Sequence, residues 1–141
     1  MRLTKACQYG LIALRHATQR GRGEAFSLEE VAGATGLPAP YLAKILTRLV
    51  HAGLLDSSRG KRAGYALALA PEAVSLKRAL EALDGARALR GCLFSQSACS
   101  AERPCLLHAH WERARGALER QLAGTTLAQW ATPPAGLNSK T

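Results

Sequence analysis

Apolar residues recur at helical spacing along most of this chain, in short groups that glycine, proline and polar residues separate. In the first group, Tyr9, Ile12 and Ala17 fall on one side of an amphipathic helix. Two nearby glycines then interrupt the pattern. The sequence therefore predicts a first helix from Thr4 to about Arg20.

Two shorter helices are predicted next, joined by a turn that contains a glycine. Ser27 and Glu30 have the spacing of a capping box, in which each side chain bonds a backbone N–H at a helix start. This helix should run to about Ala34, because Gly36 is placed to end it. Prolines then open a third helix near residues 40–52. Its core-facing positions are Leu42, Ile45, Leu46, Leu49 and Val50.

The other side of the third helix carries hydroxyl and cationic groups, including Tyr41, Lys44 and Arg48. A helix of this kind after a short helix and a glycine turn fits a helix-turn-helix, whose second helix enters the major groove of DNA. A plain helical hairpin with solvated charges gives the same pattern. The two helices alone therefore leave both interpretations open.

A cationic hairpin is predicted directly after the third helix. Residues 54–58 and 65–69 form its strands, and Arg59, Lys61 and Arg62 occupy the glycine-flanked tip. Such a wing can reach phosphates or the narrow, electronegative minor groove. The sequence therefore predicts a winged helix-turn-helix that binds double-stranded DNA. The residues expected to contact DNA are Ser27, Tyr41, Lys44, Arg48, Arg59, Lys61 and Arg62.

The charge distribution supports a polyanionic partner. The chain has 19 Lys and Arg against 10 Asp and Glu, a net charge of +9 over 141 residues. Residues 1–65 hold ten of the basic and four of the acidic residues, so most of the surplus lies in the predicted DNA-binding half. No apolar run is long enough to span a bilayer, and the first residues lack the pattern of a secretory signal. We expect a cytoplasmic protein without a membrane partner.

Three cysteines are concentrated in a short loop. A fourth predicted helix near residues 74–83 ends at Asp84-Gly85, and Cys92, Cys99 and Cys105 follow among small and polar residues. In a reducing cytosol this crowding favours metal ligation or redox chemistry over structural disulfides. Zinc sites usually use closer cysteine pairs, whereas gaps of six and five residues suit an iron-sulfur cluster.

His108 follows Cys105 by three residues. Pro104 and Cys105 are predicted at the start of another helix, where Cys105 and His108 would share one face. The dipole at a helix start also favours a thiolate, the ligating form of cysteine. Three cysteines and His108 would complete a set of four metal ligands. The alternative is three ordinary loop thiols and a solvent-exposed histidine.

A long amphipathic helix is predicted from Leu107 onward. Alone it would leave an apolar stripe in water, so a second copy of the chain is the expected partner, although packing on its own domain is the alternative. A two-fold homodimer also matches a palindromic operator. The expected dimerisation residues are Leu107, Trp111, Ala114, Leu118 and Leu122.

Several landmarks together resemble one known family over about residues 1–130. These are Met1-Arg2-Leu3-Thr4-Lys5 with Tyr9, Tyr41-Leu42-x-Lys44-Ile45-Leu46, Ala52-Gly53-Leu54, Arg59-Gly60 with Gly64-Tyr65, the three loop cysteines and Thr126-Leu127-Ala128. In this order and separation they resemble the IscR/NsrR family of dimeric winged-helix transcription regulators, many of which carry iron-sulfur clusters.

The resemblance implies a ligand set. One branch uses a histidine three residues after the last cysteine, which His108 matches, and this implies a 2Fe-2S cluster in preference to 4Fe-4S. Another branch uses an acidic residue of the partner subunit as a ligand. This chain has Gln8 at that position, which is not acidic and so departs from that ligand set. Cys7 is an added thiol for which ligation is the alternative and a buried position on the first helix is the expectation, so the fourth ligand is His108 with Gln8 or Cys7 as alternatives. The first cysteine gap is six residues where many members have five, and residues 61–63 replace common wing glycines.

The sequence thus predicts a mainly α protein with a small β-hairpin wing and a long C-terminal dimerisation helix. The expected parts are a winged helix-turn-helix (1–85), a cluster-binding loop (86–105), a dimerisation helix with a short terminal helix (106–131) and a disordered tail (132–141). The expected function is transcription regulation, with operator affinity controlled by an iron-sulfur cluster that senses iron-sulfur status, redox state or nitric oxide. A cluster-free regulator responding to a small molecule or thiol oxidation is the alternative. An enzyme is not expected, because no nucleophile and base are arranged for catalysis.

Overall fold

The computed structural model describes residues 3–60, 63–86, 89–94 and 99–132. Its elements follow one another as helices around a single hairpin, which confirms the predicted fold class. They are α1 (Lys5–Arg20), α2 (Leu28–Thr35), α3 (Ala39–His51), β1 (Leu55–Ser58), β2 (Gly64–Leu67), a 3-10 turn (Pro71–Ala73), α4 (Leu76–Asp84), α5 (His108–Gly124) and α6 (Leu127–Ala131).

Side-chain caps determine where the helices begin. The predicted capping box at α2 is present: Ser27 Oγ accepts from the Glu30 N–H at 3.1 Å, and the Glu30 carboxylate accepts from the Ser27 N–H at 2.7 Å. This backbone hydrogen bond lowers the pKa of Glu30. Thr126 and Gln129 form a second box at α6. Gly36 ends α2 in the left-handed conformation, as expected from its position.

The core lies between α1 and the helices around it. α1 packs against α2, α3, α4 and α6. On α3, Leu42, Leu46 and Leu49 are fully buried, whereas Tyr41 and Lys44 are exposed. The apolar side of α3 therefore supplies the core and leaves the predicted recognition side in solvent.

The hairpin is anchored to the chain just before α2. β1 and β2 pair in antiparallel register from Leu55 opposite Leu67 to Ser58 opposite Gly64. Phe26 and Tyr65 exchange backbone hydrogen bonds of 2.8 and 2.9 Å. Gly64 has φ 152°, and a Cβ there would lie 2.5 Å from the Phe26 carbonyl oxygen, so this close approach requires glycine. The strands thus hold the wing at a defined place beside α2 and α3.

One predicted helix start is wrong. α5 begins at His108, and Cys105 precedes it in a turn closed by the His108 N–H donating to the Cys105 carbonyl at 3.0 Å. Cys105 therefore does not occupy the first helical turn, and the helix-dipole argument for its thiolate does not apply as predicted. The predicted tail beyond Thr132 lies outside the described residues.

Replacement of Gly10 by alanine is expected to destabilise the fold. Gly10 lies on α1 where a Cβ would come within 2.3 Å of Leu83 Cδ2 and 3.0 Å of Leu83 Cγ, and Leu83 is only 2% exposed. Because the Leu83 side chain is buried and cannot move out into solvent, the added methyl group should overpack the core. Gly10→Ala should therefore lower the free energy of unfolding by about 1–3 kcal/mol. Urea unfolding measures this change.

Gly33→Ala is the matched control. Gly33 is an exposed residue of α2 with nothing within 4 Å of an added Cβ. Alanine in a helix is favoured over glycine by about 1 kcal/mol, so this variant should be neutral or more stable. Equal stability of Gly10→Ala and wild type would contradict the tight packing of α1 on α4.

Candidate metal centre and nucleic-acid interface

Three cysteine sulfurs converge in front of α5. The Sγ atoms of Cys92, Cys99 and Cys105 all lie within 4.8 Å of one another, and Cys92 Sγ is 3.8 Å from Cys105 Sγ. That distance is well beyond the length of a disulfide bond. Cys92 and Cys99 come from the segment between α4 and α5, and Cys105 from the turn that leads into α5. The fold therefore brings together thiols separated by up to thirteen residues.

His108 joins this group from the first position of α5. Its Nδ1 lies 3.3 Å from Cys99 Sγ. All three sulfurs are partly exposed, as is the imidazole. The structure thus places three sulfur donors together and one nitrogen donor beside Cys99, and these four residues are the ligands predicted from the sequence. Such a donor set suits a soft metal ion or an iron-sulfur cluster.

The thiols influence one another electrostatically. A hydrogen bond from the Cys105 backbone lowers the pKa of Cys99, but burial and the neighbouring Cys105 and Cys92 thiols together outweigh it and raise that pKa. Like charges at such short range disfavour joint ionisation. A bound cation would remove this penalty, since it neutralises the thiolates that ligate it.

Trp111 fixes the chain next to Cys92. Its indole Nε1 donates a 2.6 Å hydrogen bond to the carbonyl oxygen of Gly91. Trp111 and Arg115 also line a cavity of about 270 Å³ beside the thiols, and Arg115 bonds the Glu112 carboxylate at 2.7 Å. From its spacing alone, Trp111 is expected only to take part in dimerisation, because a contact between residues twenty positions apart leaves no trace in the local sequence pattern.

Cys7 has a different environment. It is fully buried on α1, and its pKa is raised to about 12 by burial and by the charge and hydrogen bond of Asp84. Gln8 donates its side-chain amide to the Leu3 carbonyl at 3.1 Å. The expectation that Cys7 is a core residue is confirmed, and its thiol is poorly suited to ligation because ligation requires the thiolate.

The predicted DNA-contact residues that the structure describes lie on α3, directly after β1 and at the start of α2. Tyr41 and Lys44 are exposed on α3, and Arg59 is exposed at the end of β1. The Tyr41 ring meets Tyr9 edge-on, with ring centres 6.0 Å apart. Arg48 is also exposed, and its guanidinium donates to the Leu83 carbonyl of α4 at 2.7 Å. Ser27 is engaged in its cap, and Lys61 and Arg62 lie outside the described residues.

The predicted dimerisation side of α5 is incompletely covered within the chain. α5 contacts α4, yet none of its seventeen residues is buried. Leu107, Trp111, Leu118 and Leu122 are half-buried and Ala114 is exposed. These apolar groups leave room for a further partner.

Comparison with known proteins settles the family. A family model described as Rrf2, an iron-dependent transcriptional regulator, matches residues 3–133. This chain belongs to the Rrf2 family. Members matched here are transcriptional regulators and not enzymes, and Rrf2 regulators bind DNA. Among the described residues, no helix is both long and apolar enough to cross a membrane.

Relatives and solved structures agree with this assignment. The repressor NsrR of Streptomyces coelicolor is 30% identical over 137 residues, which are 96% of this chain and 92% of NsrR. The oxidised form of Staphylococcus aureus CymR superposes with a TM-score of 0.75 at 27% identity, covering 94% of this chain and 98% of CymR. IscR of T. potens superposes with a TM-score of 0.71 at 26% identity, covering 99% and 94%. The resemblance to IscR and NsrR is confirmed.

Cys7 should stay unreactive in the folded Rrf2 protein. In a variant with serine at positions 92, 99 and 105, Cys7 is the remaining thiol, and a disulfide reagent at about pH 8.5 should react with it slowly before unfolding and rapidly in denaturant. Between pH 9.0 and about 12 the unfolded chain would release the Cys7 proton and the folded chain would retain it. Stability relative to Cys7→Ala should therefore fall as pH rises through this window. Fast reaction in the folded state would contradict the burial of Cys7.

Trp111→Phe should loosen the chain around Cys92. Phenylalanine keeps an apolar ring but cannot donate to the Gly91 carbonyl, and such a bond is worth about 0.5–1.5 kcal/mol. Labelling of Cys92 in reduced, metal-free protein, followed by mass spectrometry, should accelerate about two- to tenfold. Trp130→Phe, on α6, is the matched control and should leave the rate unchanged. Equal rates for the two variants would count against the role of the indole N–H.

Proposed function

We propose that this Rrf2 protein is a homodimeric transcription regulator in which Cys92, Cys99, Cys105 and His108 hold an iron-sulfur cluster that controls operator affinity. The convergence of three sulfurs within 4.8 Å, with the His108 Nδ1 at 3.3 Å from one of them, carries this proposal. The family description, an iron-dependent regulator, supports iron as the metal.

The donor set fits such a cluster. Thiolates are the usual ligands of iron-sulfur clusters, and histidine replaces cysteine in some 2Fe-2S centres. A mixed set of three cysteines and His108 therefore favours 2Fe-2S over 4Fe-4S. When bound, the cluster would supply a redox-active centre that responds to iron-sulfur status, oxidants or nitric oxide. The protein holds the ligands from the cysteine loop and the start of α5, and the Trp111 bond to Gly91 supports Cys92.

DNA binding is assigned to α3 and the wing. Tyr41 and Lys44 present hydroxyl and ammonium groups from α3, and Arg59, Lys61 and Arg62 supply the cationic tip of the wing. Ser27 would contact the backbone of the duplex from the start of α2. Association through the half-covered side of α5 would place two recognition helices over a two-fold axis, as a palindromic operator requires.

Thiol oxidation is a second candidate function. Cys92 Sγ and Cys105 Sγ lie 3.8 Å apart, close enough for side-chain rotation to join them. A peroxide would accept two electrons from the two thiols, forming one disulfide and water. The similarity to the oxidised form of CymR supports a cluster-free regulator of this type.

Anaerobic purification distinguishes the two functions. Cluster-bound wild type should be coloured and contain iron and acid-labile sulfide, and removal of the metal by a chelator should change its affinity for a duplex that it selects from a randomised pool. Cys92→Ser, Cys99→Ser and Cys105→Ser should each lose iron and this response. Cys7→Ala, at a buried thiol outside the triad, is the matched control and should keep both.

The contrary results are equally specific. Colourless protein without iron, whose DNA affinity changes on peroxide treatment and recovers with a dithiol, would replace the cluster with the disulfide. Full iron content in all three triad variants would refute the ligand assignment. Absence of duplex binding in every state would refute operator control.

A further inference from the structure

Arg48 lies on the predicted recognition helix, yet its guanidinium contacts the end of another helix. Arg48 Nη1 donates a 2.7 Å hydrogen bond to the carbonyl oxygen of Leu83. Leu83 belongs to the last turn of α4, where carbonyl groups have no partner within the helix. A cation at this position also interacts favourably with the helix dipole. The contact is therefore a charge-assisted hydrogen bond in which Arg48 satisfies a carbonyl group at the C-terminal end of α4.

The same turn of α4 is also bonded to α1. The Thr4 N–H donates to Asp84 Oδ2 at 3.1 Å, and the Thr4 hydroxyl bonds Asp84 Oδ1. Thr4 is in turn the cap of α1, since its Oγ1 accepts from the Cys7 N–H at 3.1 Å. The Leu83 side chain fills the space above Gly10. Leu83 and Asp84, two successive residues of α4, thus connect α4 to both α1 and α3.

This turn is the point where the DNA-binding half meets the cysteine loop. Cys92 follows Asp84 by eight residues, and Leu89 between them is 5% exposed and so packed against the protein. α4 also contacts α5, which begins at His108. A rearrangement of the thiol site would therefore reach α4 by two routes: through the chain that follows its C-terminal end, and through α5, which packs on its side. Arg48 connects the C-terminal end of α4 to α3.

We infer that Arg48 is a positioning residue that sets the orientation of α3 on α4 and thereby couples the state of the thiol site to DNA affinity, and that it does not neutralise a phosphate. This inference rests on the proposed function. Both Arg48 and Lys44 are exposed on α3, but the Arg48 guanidinium is bonded to the Leu83 carbonyl, whereas Lys44 is proposed to contact the duplex.

Salt dependence distinguishes the two roles. Full-length Arg48→Met and Lys44→Met would be compared with wild type for affinity to the duplex selected by the wild-type protein, over a range of KCl concentrations. Loss of one phosphate contact lowers the slope of log affinity against log salt by about one unit. We expect this decrease for Lys44→Met and an unchanged slope for Arg48→Met.

The response to the thiol site provides the second readout. Affinity is measured for anaerobically purified protein and again after chelation of the metal. The response is the ratio of the DNA affinities before and after chelation. For Arg48→Met this ratio should be closer to one than for wild type, by a factor of about two to thirty, which is the range expected for a residue that couples two sites. Lys44→Met should weaken both states equally and keep the wild-type ratio.

Failure of this inference is distinguishable from failure of the proposed function. A slope lowered by about one unit for Arg48→Met, or an unchanged response ratio, overturns the positioning role. If the DNA affinity of wild type does not respond to chelation, the proposed function fails. The positioning of α3 by Arg48 is then judged from the salt slope alone: it is retained if Arg48→Met binds the duplex more weakly than wild type with an unchanged slope. Should Arg48→Met not melt cooperatively, Arg48→Gln keeps an N–H donor without the charge and is judged by the same slope.

Discussion

Mutual repulsion among closely spaced thiolates is the constraint on which the cysteine site of this protein depends. Three sulfurs within 4.8 Å cannot all ionise at low cost unless a cation lies among them. The chain nevertheless holds them there, with the His108 imidazole beside Cys99 and the indole of Trp111 fixing the Gly91 carbonyl. Neutral thiols avoid this repulsion, and a bound cation would remove it for thiolates. Metal occupancy would therefore change the energy of the site, as the proposed sensing function requires.

Under the inferred coupling, the surrounding fold connects the cysteine site to the recognition helix. The last turn of α4 carries bonds to α1 through Asp84 and to α3 through the Leu83 carbonyl, and it leads directly into the cysteine loop. Packed cores respond to displacement by shifting between discrete arrangements and not by gradual deformation. Leu83 packs closely on Gly10, so the end of α4 is held tightly against α1. Under the inferred coupling, a displacement of this end would change the angle of α3 through Arg48.

Local chemistry explains which features were predictable from the sequence. The capping box of Ser27 and Glu30 and the left-handed cap at Gly36 depend on neighbours within a few residues, so spacing alone identified them. The four candidate ligands were also predicted, because cysteines and a histidine are rare enough for their clustering to be informative, and the structure places the three sulfurs together with His108 beside Cys99. The bonds of Arg48 to Leu83 and of Trp111 to Gly91 join residues 35 and 20 positions apart, and no local pattern encodes them. The error at Cys105 has a similar origin, since proline in a helix-opening context is equally compatible with the turn that precedes α5.

α5 links the two levels of organisation. Its first residue, His108, faces the thiols, and its later apolar residues are only half-buried against the chain. α5 thus carries a candidate ligand at its first residue and an incompletely covered apolar side along its length. Because a helix transmits displacement as a rigid element, a movement of His108 would also move this apolar side. Operator recognition by a dimer depends on the distance between two recognition helices, which must match the helical repeat of DNA. Under the proposed function, the thiol site would therefore act on two variables of DNA binding: the angle of α3, through α4, and the separation of the two recognition helices of a dimer, through α5.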